Sequence, residues 1–305
     1  QKTFRYNNSI ADTAGNFIME NPEQYKKYIG THTKVEESQV YLLDDKIGVK
    51  DGLYQRVVEV ITKIRERDSG SSISVIARYN YLLDDTKQAL SNAGLKNKVN
   101  FWSYHKSKGL EADYCVLIGF FQGRSGFPNE NKGDAIIEAL LPSLDDFPHS
   151  EERRLLYVGI TRAKKAVYII ADPTAPSEFI TELLAPKYDI NIVSEKFQKQ
   201  HQEIFKCPNC EEGYLRMVKG PYGEFYSCST GRGCRVGKAR ICEKCRAPSI
   251  DTRSASICNN SACGNSFRIC EKCGRPMRKR KSRFGEFWGC SGYGIKGDQC
   301  KHTVN

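Results

Sequence analysis

Twelve of the thirteen cysteines stand between Cys207 and Cys300, and their spacing repeats. They fall into three sets of four. The first is Cys207, Cys210, Cys228 and Cys234; the second is Cys242, Cys245, Cys258 and Cys263; the third is Cys270, Cys273, Cys290 and Cys300. Each opens with a Cys-x-x-Cys pair, and a second pair follows after an interval of 12 to 17 residues. That is the ligand arrangement of a tetrahedral zinc site, closed and structural when all four ligands are thiolates. A disulfide framework is the rival reading, and a reducing compartment disfavours it. No thioredoxin-like context surrounds the pairs, which sets redox chemistry aside. His302, two residues beyond Cys300, is an alternative ligand for the third set. Units this small hold too little apolar surface to fold without a staple. Residues 207–305 therefore fold around three metal ions, as units 207–234, 242–263 and 270–300.

The first and third units repeat one another. GPYGEFYSCSTGRGCR and SRFGEFWGCSGYGIKGDQCK each place Gly-Glu-Phe-aromatic-x-Cys after a turn. In a strand, Tyr226 and Trp288 point to the side of the following cysteine, and Phe225 and Phe287 point to the other. One ring of each pair is expected to fill the small core. The other is free to stack on bases, set among Arg216, Lys219, Arg232, Lys279, Arg280, Lys281 and Arg283. Aromatics among cations equip a surface for single-stranded nucleic acid; the bland alternative makes all four rings core filler. The middle unit keeps its cysteines but lacks the Gly-Glu-Phe strand.

Charge divides where the cysteines do. Residues 1–206 carry 28 basic and 28 acidic side chains, so the tail holds the whole formal excess of +11. Twelve zinc-bound thiolates would lower that excess to about +5. The first part alternates helical and strand patterns. Leu53, Val57, Val60, Ile61 and Ile64 form one helical face. Strands are expected at 39–43, 73–78, 99–104, 114–119 and 166–171. Their near-continuous apolar character suits strands covered on both faces, so a mostly parallel α/β sheet follows. Ligands of such sheets gather at the carboxyl ends of the strands, which draws attention to Arg78-Tyr79-Asn80, to His105 through Gly109 and to the Thr161-Arg162 turn. No Gly-x-x-x-x-Gly-Lys-Ser/Thr phosphate loop occurs.

Four blocks carry a resemblance, in order. TFRYN (3–7) with FIMENPEQYKK (17–27), SVIARYN (74–80), SYHKSKGLEADYCVLIG (103–119) and EERRLLYVGITRAKKAVYII (151–170) resemble motifs IV to VI of the second RecA-like motor domain in UvrD/Rep-type DNA helicases. The helicase IV branch is the most similar, and the stretch from Gly126 to Glu152 shares its flavour. The tail resembles the C4 zinc ribbons of bacterial type I topoisomerases.

The resemblance implies roles. Arg162 of motif VI and Arg5 of motif IV would meet the γ-phosphate of ATP, a task suited to a permanently charged fork. Phe4, where the family commonly has tyrosine, would stack on the adenine, and Glu111 would contact the ribose. Arg78, Asn80 and His105 would hold phosphates of a single DNA strand. The phosphate loop and the acidic Mg²⁺ ligands belong to a first motor domain absent from these residues. Only residues 8–102 separate motifs IV and V, which leaves no room for the large insertion of UvrD and Rep. A start at Gln1 suggests a fragment or processed product.

Elsewhere the bland readings stand. Arg153, Arg154, Lys164 and Lys165 read as solvated charges, Cys115 as a small core residue, and the pairs Asp44-Asp45 and Asp84-Asp85 as turn and cap residues. The expected organisation is a RecA-like domain (1–186), a linker (187–206) and a β-rich zinc-ribbon tail (207–305). The expected function is the C-terminal portion of an ATP-dependent 3′-to-5′ DNA helicase, inactive by itself. It would use ATP with Mg²⁺ and three structural Zn²⁺, and bind single-stranded DNA and the missing N-terminal RecA-like domain. It would be cytoplasmic and without a membrane contact. The alternative is a non-catalytic module that grips nucleic acid or a protein such as RNA polymerase through its zinc tail. A topoisomerase fragment is excluded because residues 1–186 match no strand-cleaving domain.

Overall fold

A computed structural model describes residues 2–25, 30–46, 48–97, 99–123, 125–129, 147–221, 223–231, 234, 239–261, 263–283, 285–295 and 299–304. Most of the helicase IV-like stretch from Gly126 to Glu152, and Arg232, therefore lie outside the described residues. The chain divides into two compact units, residues 1–200 and 201–305.

The first unit is built on a six-stranded parallel sheet. Its strands are β3 (Val40–Asp44), β4 (Ile73–Ala77), β5 (Val99–Ser103), β6 (Ala112–Phe120), β7 (Ala163–Ala171) and β8 (Asn191–Ile192), in the order β5-β4-β6-β7-β3-β8. Five of the six were expected from their apolar runs. They are apolar because both faces are covered. On one face, α2 (Gly52–Arg67) and α3 (Asn80–Asn92) bury Val57, Val60, Ile61, Ile64, Leu82, Leu83 and Leu90 against Ile73, Val75, Val116 and Ile118. On the other lie α1 (Asn8–Ile18) and α4 (Ser150–Ile160). The side chain of Asn7 caps α1 by accepting from the amide of Ile10, and its Nδ2 donates to the carbonyl of Lys165 in β7. A two-stranded parallel pair, β1 (Lys2–Thr3) with β2 (Gly30–Thr31), stands apart from the sheet. A short helix, α5 (Glu178–Leu183), follows β7.

Two expectations change here. Residues 187–206, expected as a linker, form β8, which pairs with β3, and α6 (Glu195–Phe205). Asp84 and Asp85 lie inside α3, not at a turn or cap. Asp84 pairs with Lys87 one turn on, and Asp85 accepts from the hydroxyl of Tyr54.

The second unit is a string of small antiparallel sheets. A hairpin of β9 (Leu215–Gly220) and β10 (Gly223–Cys228) comes first. A four-stranded sheet follows, made of β11 (Arg240–Ile241), β12 (Pro248–Asp251), β13 (Ala255–Cys258) and β14 (Ser266–Arg268). The last sheet joins β15 (Met277–Ser282), β16 (Gly285–Cys290) and β17 (Thr303–Val304). The repeat read in the sequence is a repeat in space. Gly220 pairs with Gly223 and Ser282 with Gly285, so both hairpins close over two residues. Gly223 and Gly285 adopt φ values of +122° and +120°, which favours glycine at both. Among the described residues no helix is long and apolar enough to cross a membrane.

Candidate functional site

The residues proposed to meet nucleotide gather at the amino ends of β6 and β7, not at the carboxyl ends. Glu111 immediately precedes β6 and Arg162 immediately precedes β7, and Ala112 pairs with Ala163. The cause is the direction of α4. It returns from the carboxyl edge of the sheet to the amino edge, so the residue at its end is delivered there. Arg5 reaches the same place, and its Nε lies 2.7 Å from the Glu111 carboxylate. Lys164 approaches the other oxygen at 3.4 Å.

Arg162 is only 9 % exposed. Its Nε donates to the carbonyl of Val158 and its Nη1 to that of Leu110. The side chain thus caps its own helix while it sits beside the cluster. Burial, and then the charge of Arg5, push its pKa down. Arg5, Lys164 and Arg162 together bring more positive charge than the one Glu111 carboxylate offsets, a surplus that suits an anionic ligand. Phe4 lies at the rim, 74 % exposed, stacked on His32 with ring centroids 4.8 Å apart. A backbone bond from His32 to the Thr3 carbonyl fixes that stack. His32 was not singled out in the sequence, because a lone histidine in a loop carries no pattern.

The residues proposed to hold DNA stand at the opposite edge. Parallel pairing of Ala77 with Ser103 puts both Arg78 and His105 just past the carboxyl ends of β4 and β5. His105 and Asn80 are exposed, and Asn80 opens α3. Arg78 does not point freely outward: its Nε donates to both Glu152 oxygens, at 3.0 and 3.2 Å, and its guanidinium lies over the Tyr79 ring.

Cys115 is fully buried in β6, and burial pushes its thiol pKa up, as fits a core residue. Arg153 is not a solvated charge. It is 4 % exposed, forks onto Glu182, donates to the Phe17 carbonyl and sits over the Phe17 ring. A surface-like arginine pattern concealed this role, because its partner lies 29 residues further along the chain. Arg154 is half-exposed, and Lys164 and Lys165 are exposed at the start of β7.

In the tail, the twelve cysteines form the three expected sets, with all four sulfurs of each set within 4.8 Å of one another. All are free. The Sγ pairs Cys207–Cys234, Cys210–Cys228, Cys242–Cys263, Cys245–Cys258, Cys270–Cys300 and Cys273–Cys290 measure 3.5, 3.6, 3.8, 3.4, 3.6 and 3.4 Å. A disulfide needs about 2.05 Å. Four sulfurs at the usual Zn–S distance stand about 3.8 Å apart along a tetrahedral edge. The donor sets therefore fit zinc. Cys300 completes the third set, and His302 is outside it.

The four aromatic residues divide. Tyr226 is 1 % exposed, contacts the Phe205 ring and donates its hydroxyl to the Arg246 carbonyl. It is core, and the expectation of a DNA contact there is withdrawn. Trp288 packs with Cys270, Met277, Cys290 and Val304, beneath the Arg268 guanidinium. Phe225 and Phe287 occupy the opposite strand faces and are half-buried. Phe287 pairs across the hairpin with Arg280, whose guanidinium also lies over Tyr293. Tyr293, 58 % exposed, is a surface ring not identified from the sequence, although Gly-Tyr-Gly after Cys290 was its signal. Arg216, Lys219, Lys279, Arg280, Lys281 and Arg283 are exposed.

Comparison with known proteins gives a consistent picture. Residues 4–173 match the UvrD-like helicase C-terminal domain. Residues 204–235 and 267–304 match the topoisomerase DNA binding C4 zinc finger, so the middle cluster lies outside both segments. DNA helicase IV of Escherichia coli (strain K12) is 35% identical over 178 residues, which cover 58% of this chain and 25% of that protein. DNA topoisomerase 1 of Methanocaldococcus jannaschii is 31% identical over 123 residues, covering 34% of this chain and 16% of its own. The ATP-dependent DNA helicase Rep of Buchnera aphidicola subsp. Schizaphis graminum is 34% identical over 105 residues, covering 31% and 14%. The chain thus spans a quarter or less of the length of these relatives.

Proposed function

Because the chain belongs to the UvrD-like helicase C-terminal domain family, we propose that it is the second motor half and zinc tail of an ATP-dependent 3′-to-5′ DNA helicase. The observation that carries this reading is the gathering of Arg5, Glu111 and Arg162 at one sheet edge, with Phe4 exposed nearby. Arg162 and Arg5 stabilise charge on the γ-phosphate of ATP held on a first motor domain, which also supplies the Mg²⁺ ligands. Phe4 stacks on the base, and Glu111 exchanges Arg5 for the ribose. Arg78, Asn80 and His105 meet the strand at the far edge. Closure of the two motor halves on ATP would then move the strand contacts.

The test compares DNA-stimulated ATP turnover by this chain with that of a longer protein carrying a phosphate loop. The longer protein should hydrolyse ATP and unwind duplex, and the 305-residue chain should do neither. Appreciable turnover by this chain alone would sink the half-site reading. A longer protein without DNA-stimulated turnover would favour a purely binding role.

The tail is proposed to grip single-stranded DNA with little sequence preference, through its cations and the outer rings Phe225 and Phe287. About four phosphate contacts would give a slope of log affinity against log salt near −3. Phe225→Leu and Phe287→Leu should each weaken oligo-dT binding by roughly 1–3 kcal/mol while three zinc ions are retained. Tyr226→Leu and Trp288→Leu should instead lower the melting temperature. Full affinity in both outer-ring variants would leave charge alone as the grip.

A further inference from the structure

An arginine that is to hold a DNA phosphate is expected to present its guanidinium freely to solvent, whereas Arg78 is partly buried and engaged. Its Nε lies within hydrogen-bond distance of both oxygens of Glu152, and the side chains of the pair are only 23 % and 12 % exposed. Glu152 comes from the first turn of α4, 74 residues away in sequence, so the pairing is a product of the fold. The backbone amide of Asn129 also approaches the carboxylate, at 3.4 Å. Beside the pair, Tyr104 is fully buried against Gly159 of the same helix; any Cβ at 159 would fall 2.4 Å from the ring. This packing holds α4, and Glu152 with it, against the turn that presents His105. Asn80, two residues beyond Arg78, and His105, just past β5, are exposed.

We propose that Glu152 is a positioning residue that makes Arg78 a conditional DNA contact: the guanidinium rests on the Glu152 carboxylate and transfers to a strand phosphate when DNA enters. The inference rests on the reading of Arg78 as a strand contact and adds what governs it. A carboxylate and a phosphate make the same forked demand on a guanidinium, so one can replace the other with little change in arginine geometry. The competition weakens the grip. A strand that must move past its contacts is served by a charge that has somewhere to return to.

The experiment uses the full-length protein with oligo-dT, read as the concentration that half-saturates ATP hydrolysis, because only a strand engaged by the motor stimulates turnover. Glu152→Gln removes the competitor and should lower the half-saturating concentration by about fivefold. A merely structural role predicts the opposite sign, since a loosened α4 would weaken binding. Glu151→Gln makes the same change in net charge at an exposed neighbour and should shift it by less than about twofold. In an Arg78→Ala background the Glu152→Gln gain should vanish, because the two residues act as one unit. Glu152→Asp, which keeps the charge but shortens the reach, should fall between wild type and Glu152→Gln, and it serves if the glutamine variant folds poorly. An unchanged or higher half-saturating concentration in both Glu152 variants overturns the proposal. If Arg78→Ala itself leaves that concentration unchanged, the strand contact fails instead, and with it the reading on which the proposal stands.

Discussion

Replacing Arg162 by lysine in the full-length protein is expected to cut kcat for ATP hydrolysis by two to three orders of magnitude, on the scale of arginine fingers elsewhere. Nucleotide affinity should change by less than about threefold, because the contact acts chiefly as charge develops in the transition state. Two features argue against a simple exchange of one cation for another. The guanidinium is held by Val158 and Leu110 carbonyls while it sits beside Arg5. An ammonium group can replace neither that two-point anchorage nor the fork that is proposed to meet phosphate. Stopped-flow or steady-state turnover with saturating DNA measures kcat, and a fluorescent nucleotide titration measures affinity. A variant with wild-type kcat would reduce Arg162 to a cation closing the end of α4, and the melting temperature would then be the quantity that falls.

The sequence alone disclosed the sheet because its physics is local. Parallel strands buried on both faces must be apolar nearly throughout, and β4, β6 and β7 are. The three cysteine sets were equally legible, since ligand spacing is written directly into the chain. What was hidden depended on long-range partners. Arg153 looks like any helix-surface arginine until Glu182 and three aromatic rings close around it. Arg78 looks like an open cation until Glu152 arrives from the other side of the sheet sequence. Strand alternation separated Tyr226 from Phe225 and Trp288 from Phe287, but it could not say which side was core. The core side became visible only with Phe205 against Tyr226 and with Met277 and Val304 around Trp288. Arg162 emerges at the amino edge for a related reason. The rule of ligands at carboxyl ends describes a sheet that builds its own site, whereas this sheet is proposed to complete a site built on another domain.

Removing metal is expected to unfold residues 207–305 while leaving the first unit folded. The third ribbon shows why. Its core comprises Cys270, Met277 and Cys290, with Trp288, Cys300 and Val304 packed against it. Three of those six side chains are the zinc ligands themselves, and the strand opposite is Arg-Lys-Arg-Lys, exposed on both faces. Without zinc, four thiols converge with nothing to hold them, and the remaining apolar surface cannot meet the entropy of ordering the strands. Structural zinc in comparable small units contributes on the order of 10–16 kcal/mol of binding free energy, and that energy is folding energy. A strong chelator should therefore release three zinc ions per chain and collapse the amide dispersion of the tail in an NMR spectrum. The resonances of the parallel sheet should persist, because its core, built on Ile73, Val75, Val116 and Ile118, contains no metal ligand. Cys290→Ser should reduce the zinc content from three to two and unfold the third ribbon, while Phe225 and its neighbours keep their native shifts. Cys115→Ser should leave zinc content at three. A tail that keeps its dispersed spectrum with no metal bound would mean that the hairpins are held by their own side chains, and that the twelve cysteines serve some purpose other than building the fold.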